Sequence, residues 1–403
     1  MANPEHLALV RQGVQTWNDW YNQHRTVIPD LSQANLSQLN LSGINLSKAN
    51  LKETNLSQAD LSKSQLIQAD LTKSNLLGTN LNNANLKDAN LDFAIFTQAL
   101  LNRQTQISTK YLTVYKIVNQ KIEDQEFSGI DLSNSNLFRA DLSDADLSNA
   151  KLINVNFNSA NLNNAYLYKA DLTRANFQNA DLRNAYFSHA NLTSAYLAGA
   201  LCCGTYFKDA DLKFAHLKTA KFSPKTMIDP KWYSVWEIVN CGAVKKNLRG
   251  VDLTNANLQG ANFEEANLTN AKMNHAILRH SNLANANLTN TVLVGANLCG
   301  VDLQKAHLKR TKLKSIISDY HTQLSATNPS NKKNLITAQK PALETAIPTV
   351  PTKTKTEQSK QSKSNKSRGG VLLISIAIAI AVGYVALSQN LSDFRQEKLE
   401  FVK

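Results

Sequence analysis

"ADLSDADLSNAKL", residues 140–152, places leucine at Leu142, Leu147 and Leu152 and alanine two positions before each, at Ala140, Ala145 and Ala150. An α-helix returns to its buried face about every 3.6 residues and a strand at every second residue. An apolar pair that recurs at every fifth residue drifts around either element, so the stretch is neither a long helix nor a long strand.

Counted in fives, the large position is Leu or Phe at all 15 sites from Leu31 to Leu101. It is so at all but Cys202 of the 20 sites from Phe127 to Phe222, and at all but Met273 of the 14 from Leu248 to Leu313. Two residues earlier stands a small side chain, usually Ala (Ala49, Ala165, Ala256), and between the two is mostly Asn or Asp (Asn50, Asp141, Asn257). The other two positions are polar. One such unit cannot bury its apolar pair alone, and short units that repeat at a fixed period do so by stacking into a solenoid.

Over residues 31 to 314 the chain resembles the pentapeptide repeat family, whose motif is A(D/N)LXX, in the long form familiar from cyanobacteria. The resemblance implies an all-β solenoid: a right-handed quadrilateral β-helix in which each unit forms one side. Leu142, Leu147, Leu172 and Phe177 would then point inwards. At four units per coil the 49 units make about 12 coils. With strands ~4.8 Å apart, the rod would be roughly 60 Å long.

The pattern divides the chain into repeats at 31–101, 127–222 and 248–318, separated by inserts at 102–126 and 223–247. The inserts are copies: "TQISTKYLTVYKIVNQ" (105–120) aligns with "TMIDPKWYSVWEIVNC" (226–241), so Tyr111 and Tyr115 match Trp232 and Trp236. With Val114, Ile117 and Val118 they predict a short amphipathic helix that plugs the interrupted core, a ligand site being the alternative. Residues 1–30 read as a cap for the exposed solenoid end, with one helix over 4–23, Asn3 as N-cap and Pro4 as its first residue.

Residues 319–368, rich in Thr, Ser, Lys, Gln and Pro, read as a disordered basic linker. "GGVLLISIAIAIAVGYVALS" (369–388) carries no charge along its whole length and predicts a transmembrane helix, followed by a short tail, 389–403. Cations crowd its N-terminal side, and no signal peptide is recognisable. The expected arrangement is a single-pass, tail-anchored membrane protein with a cytoplasmic repeat domain. Ser375, Ala379 and Gly383 share one helix face and would allow weak homo-oligomers through the anchor.

The net charge is +13, and nearly half of that excess lies in the linker, where it would favour anionic lipid. Cys202, Cys203, Cys241 and Cys299 lack metal-ligand spacing, the eight His are scattered, and Ser and Asp recur only because the repeat recurs. No catalytic, cofactor or metal site is expected, and the chain does not read as an enzyme. One surface feature stands apart. Tyr166, Tyr186 and Tyr206 each replace the usual Asn or Asp, one in every fourth unit, which stacks them on one face. Tyr168 follows on that face, and Tyr196 lies on the opposite one. Stacking alone can account for them, but exposed aromatics also favour binding. The expected function is a non-enzymatic, membrane-tethered rod that serves as a structural or protein-interaction scaffold for an unknown protein partner. The alternative is a regulatory or nucleic-acid-associated protein using the basic surface. Cations scattered over several sides rather than one stripe argue against nucleic acid.

Overall fold

A computed structural model describes residues 1–120 and 125–323 and the backbone of residues 336 and 337, all within the compact unit Met1–Pro341. Each five-residue unit is a corner followed by one bridging residue. Ala34 N donates to Leu31 O at 3.1 Å, and Gln33, the third residue of that turn, has φ 60°. A positive φ there is the signature of a type II turn. The next residue after the turn, Asn35, forms a parallel bridge with Asn55, its counterpart in the fourth unit on. Four units therefore close one coil, and four of every five residues are spent on the turn. This is why the ladder consists of single-residue bridges and not of long strands.

The turn also sets the interior. Leu142, Leu147, Leu172 and Phe177 are fully buried, as are the alanines two positions before them. Phe157 and Phe177 stack at 5.1 Å in successive coils, and so do Phe187 and Phe207. Burying each Leu or Phe contributes ~1.5–3 kcal/mol, enough to offset the ~1–2 kcal/mol per residue that a left-handed corner costs. Even Phe93 and Phe214 accept that conformation, at φ 60° and 57°. These two corners carry the ladder past the inserts: Phe93 N donates to Asn134 O at 2.7 Å and Phe214 N to Asn255 O at 2.8 Å.

The cap is two helices, α1 (Pro4–Gln12) and α2 (Val14–Gln23), where the sequence predicts one. Gly13, at φ 122°, breaks them apart. Asn3 does cap α1, accepting from Glu5 N at 2.8 Å. From α2, Asn18 Nδ2 donates to Gly43 O at 3.1 Å and its Oδ1 accepts from Asn45 N at 2.8 Å. Trp17 Nε1 donates to Asn45 O and Tyr21 OH to Ser47 O. The cap thus pairs backbone groups that would otherwise form an open edge.

The inserts hold α3 (Thr109–Asn119) and α4 (Pro230–Cys241), which bury Tyr111, Val114 and Ile117, and Trp232, Val235 and Ile238, against the core. At the entry to each insert the bridge interval lengthens by one position, as in Asn85↔Gln106 and Tyr206↔Met227. The same lengthened step recurs at Asp302↔Gln323, so the ladder runs past position 318. A short parallel pair, β1 (Ile317–Ser318) with β2 (Ile336–Thr337), carries the column of Asn297 and Ile317 one rung further. Among the described residues no helix is long and apolar enough to cross a membrane. Linker residues beyond β2, the predicted span at 369–388 with Ser375, Ala379 and Gly383, and the tail lie outside the described residues.

Candidate interaction face

Tyr166, Tyr186 and Tyr206 occupy bridging positions, and each is held by the ladder at both backbone groups. Tyr186 N donates to Ala165 O at 2.9 Å, and Tyr186 O accepts from Leu167 N at 2.7 Å. The ladder therefore fixes Tyr166, Tyr186 and Tyr206 in register. Tyr166 and Tyr186 stack with centroids 5.0 Å apart and planes 3° apart. The column opens at its third rung, where Tyr186 and Tyr206 stand 6.3 Å apart at 36°. Tyr166 and Tyr186 are about two-fifths exposed, whereas Tyr206 is half-buried.

Met227 bridges Tyr206 and extends the column, 53% exposed. A count of four whole units misses it because the insert entry adds one position. The first insert shows the same lengthened step, from Asn85 to Gln106. Tyr168 stands outside the stack: its ring meets His189 edge-on at 5.6 Å and has Lys169 Nζ 5.0 Å from its centroid. Tyr196, on a different side, stacks on His216 at 4.4 Å.

The first insert provides an internal comparison. There the corresponding column is Gln65, Asn85 and Gln106, joined by the same parallel bridges. The backbone thus accepts amides where the second insert carries Tyr186, Tyr206 and Met227, and no requirement of the coil selects an aromatic surface.

Elsewhere the chemistry is sparse. Cys202 is fully buried, and burial pushes its thiol far up, as it does more weakly for Cys299. Among the described residues no group of His, Cys, Asp and Glu could hold a metal ion. An open depression is lined by His280, Asn282, Gly300, Asp302 and Lys305. The His280 ring covers Gly300 so closely that a Cβ would not fit, so this side chain serves to pack a corner.

The sequence profile described as pentapeptide repeats matches residues 30–66, 64–103, 123–152, 150–188, 185–223, 247–283 and 281–316. The chain belongs to the pentapeptide repeat family. As in that family, its four-sided coil is a right-handed β-helix.

Similar solved structures include HetL, a pentapeptide repeat protein involved in heterocyst differentiation regulation from the cyanobacterium Nostoc sp. strain PCC 7120. It is 24% identical, with 72% of this chain and 89% of that one covered and a TM-score of 0.18. A pentapeptide repeat protein of the Arabidopsis thaliana thylakoid lumen is 28% identical over 28% of this chain and 76% of its own, with a TM-score of 0.25. Full-length QnrB1, a plasmid-mediated fluoroquinolone resistance protein, is 19% identical over 52% and 84%, with a TM-score of 0.18. Membership of the pentapeptide repeat family rests on the repeats. No curated protein matches the chain.

Proposed function

We propose that this pentapeptide repeat protein is a non-enzymatic scaffold of the cyanobacterial type. Its rod is tethered to a membrane by residues 369–388, lies on the cytoplasmic side, and binds a protein partner through Tyr166, Tyr186, Tyr206 and Met227. The observation that carries the reading is the contrast between two matching columns, one of amides and one of exposed aromatics with methionine. Tyrosine and methionine offer large contact area, and both are enriched at protein interfaces. The long uncharged run supports the tether, and the cations before it support the orientation. The small residues Ser375, Ala379 and Gly383 would add weak self-association of the anchor. The non-enzymatic reading rests on the polar side chains repeating the same turn contacts in unit after unit.

The test is affinity capture of the full chain from detergent-solubilised native membranes, beside a variant carrying Tyr166→Ser, Tyr186→Ser and Tyr206→Ser. The variant should lose its protein partner while its melting temperature stays within a few degrees of the parent's. Retention of every partner, or collapse of the fold, overturns this face as the contact. Extraction of the full chain by alkaline carbonate would overturn the tether.

A further inference from the structure

We propose that the last described coil is a basic collar that docks on an anionic lipid surface through Lys305, Lys309, Arg310, Lys312 and Lys314. Residues 288–301 contain no charged group, whereas residues 303–318 contain these five cations and no carboxylate. All five are exposed. Among the described residues none of them forms an ion pair. The carboxylates bordering the stretch are Asp302 and Asp319. Asp319 is engaged by the backbone, accepting from Gly300 N of the preceding coil at 3.0 Å and from His321 N of its own corner at 3.1 Å.

Coil geometry turns this charge run into a ring. Lys305 follows the central Leu303 on one side, Lys309 and Arg310 follow Leu308 on the next, and Lys312 and Lys314 flank Leu313 on the third. The backbone beneath them is fixed: Lys309 O accepts from Asn290 N at 2.9 Å, Lys312 N donates to Thr291 O at 2.9 Å, and Lys314 O accepts from Gly295 N at 3.0 Å. Cations at one axial level on three consecutive sides suit a broad anionic plane meeting the end of the rod. A polyanionic strand would instead be tracked by cations along one side. The chain also continues from this coil towards the uncharged run at 369–388, past a second group of cations from Lys353 to Arg368. The proposal rests on the tether reading, because the tether keeps this end beside the bilayer, within reach of an anionic surface potential that decays over a Debye length.

The experiment uses the full chain reconstituted into vesicles of phosphatidylcholine alone or with roughly one third phosphatidylserine. Lysine amines are labelled by reductive methylation and quantified by mass spectrometry. Methylation of Lys305, Lys309, Lys312 and Lys314 should slow several-fold in the anionic vesicles only, while the exposed Lys87 and Lys169 keep their rates. About 0.5 M salt, where the Debye length falls to about 4 Å, should abolish the difference. Equal rates in the two vesicles overturn the collar, as does equal protection in both. Protection by duplex DNA without anionic lipid would assign the ring to nucleic acid and overturn the lipid reading. Failure of the tether is seen separately, as release of the chain from neutral vesicles by carbonate, and salt-sensitive flotation with anionic vesicles then tests the collar by itself.

Discussion

Asn50 Nδ2 donates to Asp30 Oδ1 at 3.0 Å, one coil away, while Asn50 Oδ1 accepts from the backbone N–H of Lys52 at 3.3 Å. The position before each central residue thus has two duties: its oxygen closes the turn, and in Asn its amide nitrogen reaches the matching residue of the preceding coil. Asn80 does this to Asp60 at 2.9 Å and Asn161 to Asp141 at 2.8 Å. At this position no Asp follows another Asp one coil on, and the column Asp30, Asn50, Asp70, Asn90 alternates. Two stacked aspartates would have acceptors and no donor between them. The one bridged pair of carboxylates among the described residues, Glu126 and Asp146, joins a longer side chain to a shorter one where the ladder resumes after the first insert.

Asn50→Asp would set a carboxylate between Asp30 and Asp70. We expect a loss of about 1–2 kcal/mol at neutral pH in urea unfolding. The deficit should shrink as the pH falls towards about 4, because like charges raise each other's pKa and protonation relieves them. Asn55→Asp is the control, since Asn75 Nδ2 already donates to its oxygen at 3.1 Å. It should cost clearly less, and equal losses would refute the donor argument.

Acid should destabilise the parent rod, because it protonates carboxylates that the folded chain holds ionised by hydrogen bonds. Hydrogen bonds from the Arg183 side chain hold the Asp181 carboxyl below its usual range, and the Ser133 backbone N–H does so for Asp131. A carboxylate with a depressed folded pKa adds stability that is complete above its unfolded value of about 3.9 and is lost as the pH falls through the folded one. Urea midpoints should therefore fall below about pH 4, and Asp181→Asn should flatten part of that slope. Stability that rises on acidification through this window would contradict the assignment.

Buried hydroxyls divide into two kinds. Thr54 Oγ1 donates to Leu31 O at 2.8 Å and Thr205 Oγ1 to Leu182 O at 2.7 Å, whereas the buried Ser64 and Ser74 hydroxyls have no hydrogen-bond partner. Thr54→Val should cost about 1 kcal/mol and leave the Leu31 carbonyl one partner short. Ser64→Ala should be neutral or stabilising, because it removes an unsatisfied buried hydroxyl. Thermal denaturation of the pair decides the matter, and a larger loss for Ser64→Ala would sink it.

Asn119, at the end of α3, accepts from Gln98 N at 2.6 Å and donates to Phe96 O at 3.0 Å. Asn240, at the matching place in α4, accepts from Thr219 N at 2.6 Å and donates to Leu217 O at 3.0 Å. One amide supplies the acceptor and the donor that the next coil would have offered. Asn119→Asp removes the donor, and hydrogen exchange across α3 should accelerate several-fold while α4 is unchanged. Uniform exchange in both helices would mean that the amide does not hold the helix down.

The amide pair was visible in the sequence only as two asparagines at matching places in the two inserts, without a role. Met227 was hidden because the insert entry adds one position to the step, which carries the column out of phase with the count of five. The single helix expected at the N-terminus failed at Gly13, whose φ of 122° ends one helix and begins the other. The tyrosines were legible as a column, but their spread from a 5.0 Å stack to a 6.3 Å step was not.

The sequence by itself determined which residues point inwards. Burial of Leu142 or Phe177 follows from a period of five imposed by a turn made of adjacent residues, and adjacency is written in the chain. Only the tertiary structure decided what meets across an insert: Met227 beyond Tyr206, and Asn134 beneath Phe93. Those paired neighbours lie at least a full coil apart along the chain, and their pairing depends on coil closure and on how each insert rejoins the ladder. No local propensity encodes that rejoining, because it is set by hydrogen bonds that exist only once the coil has closed.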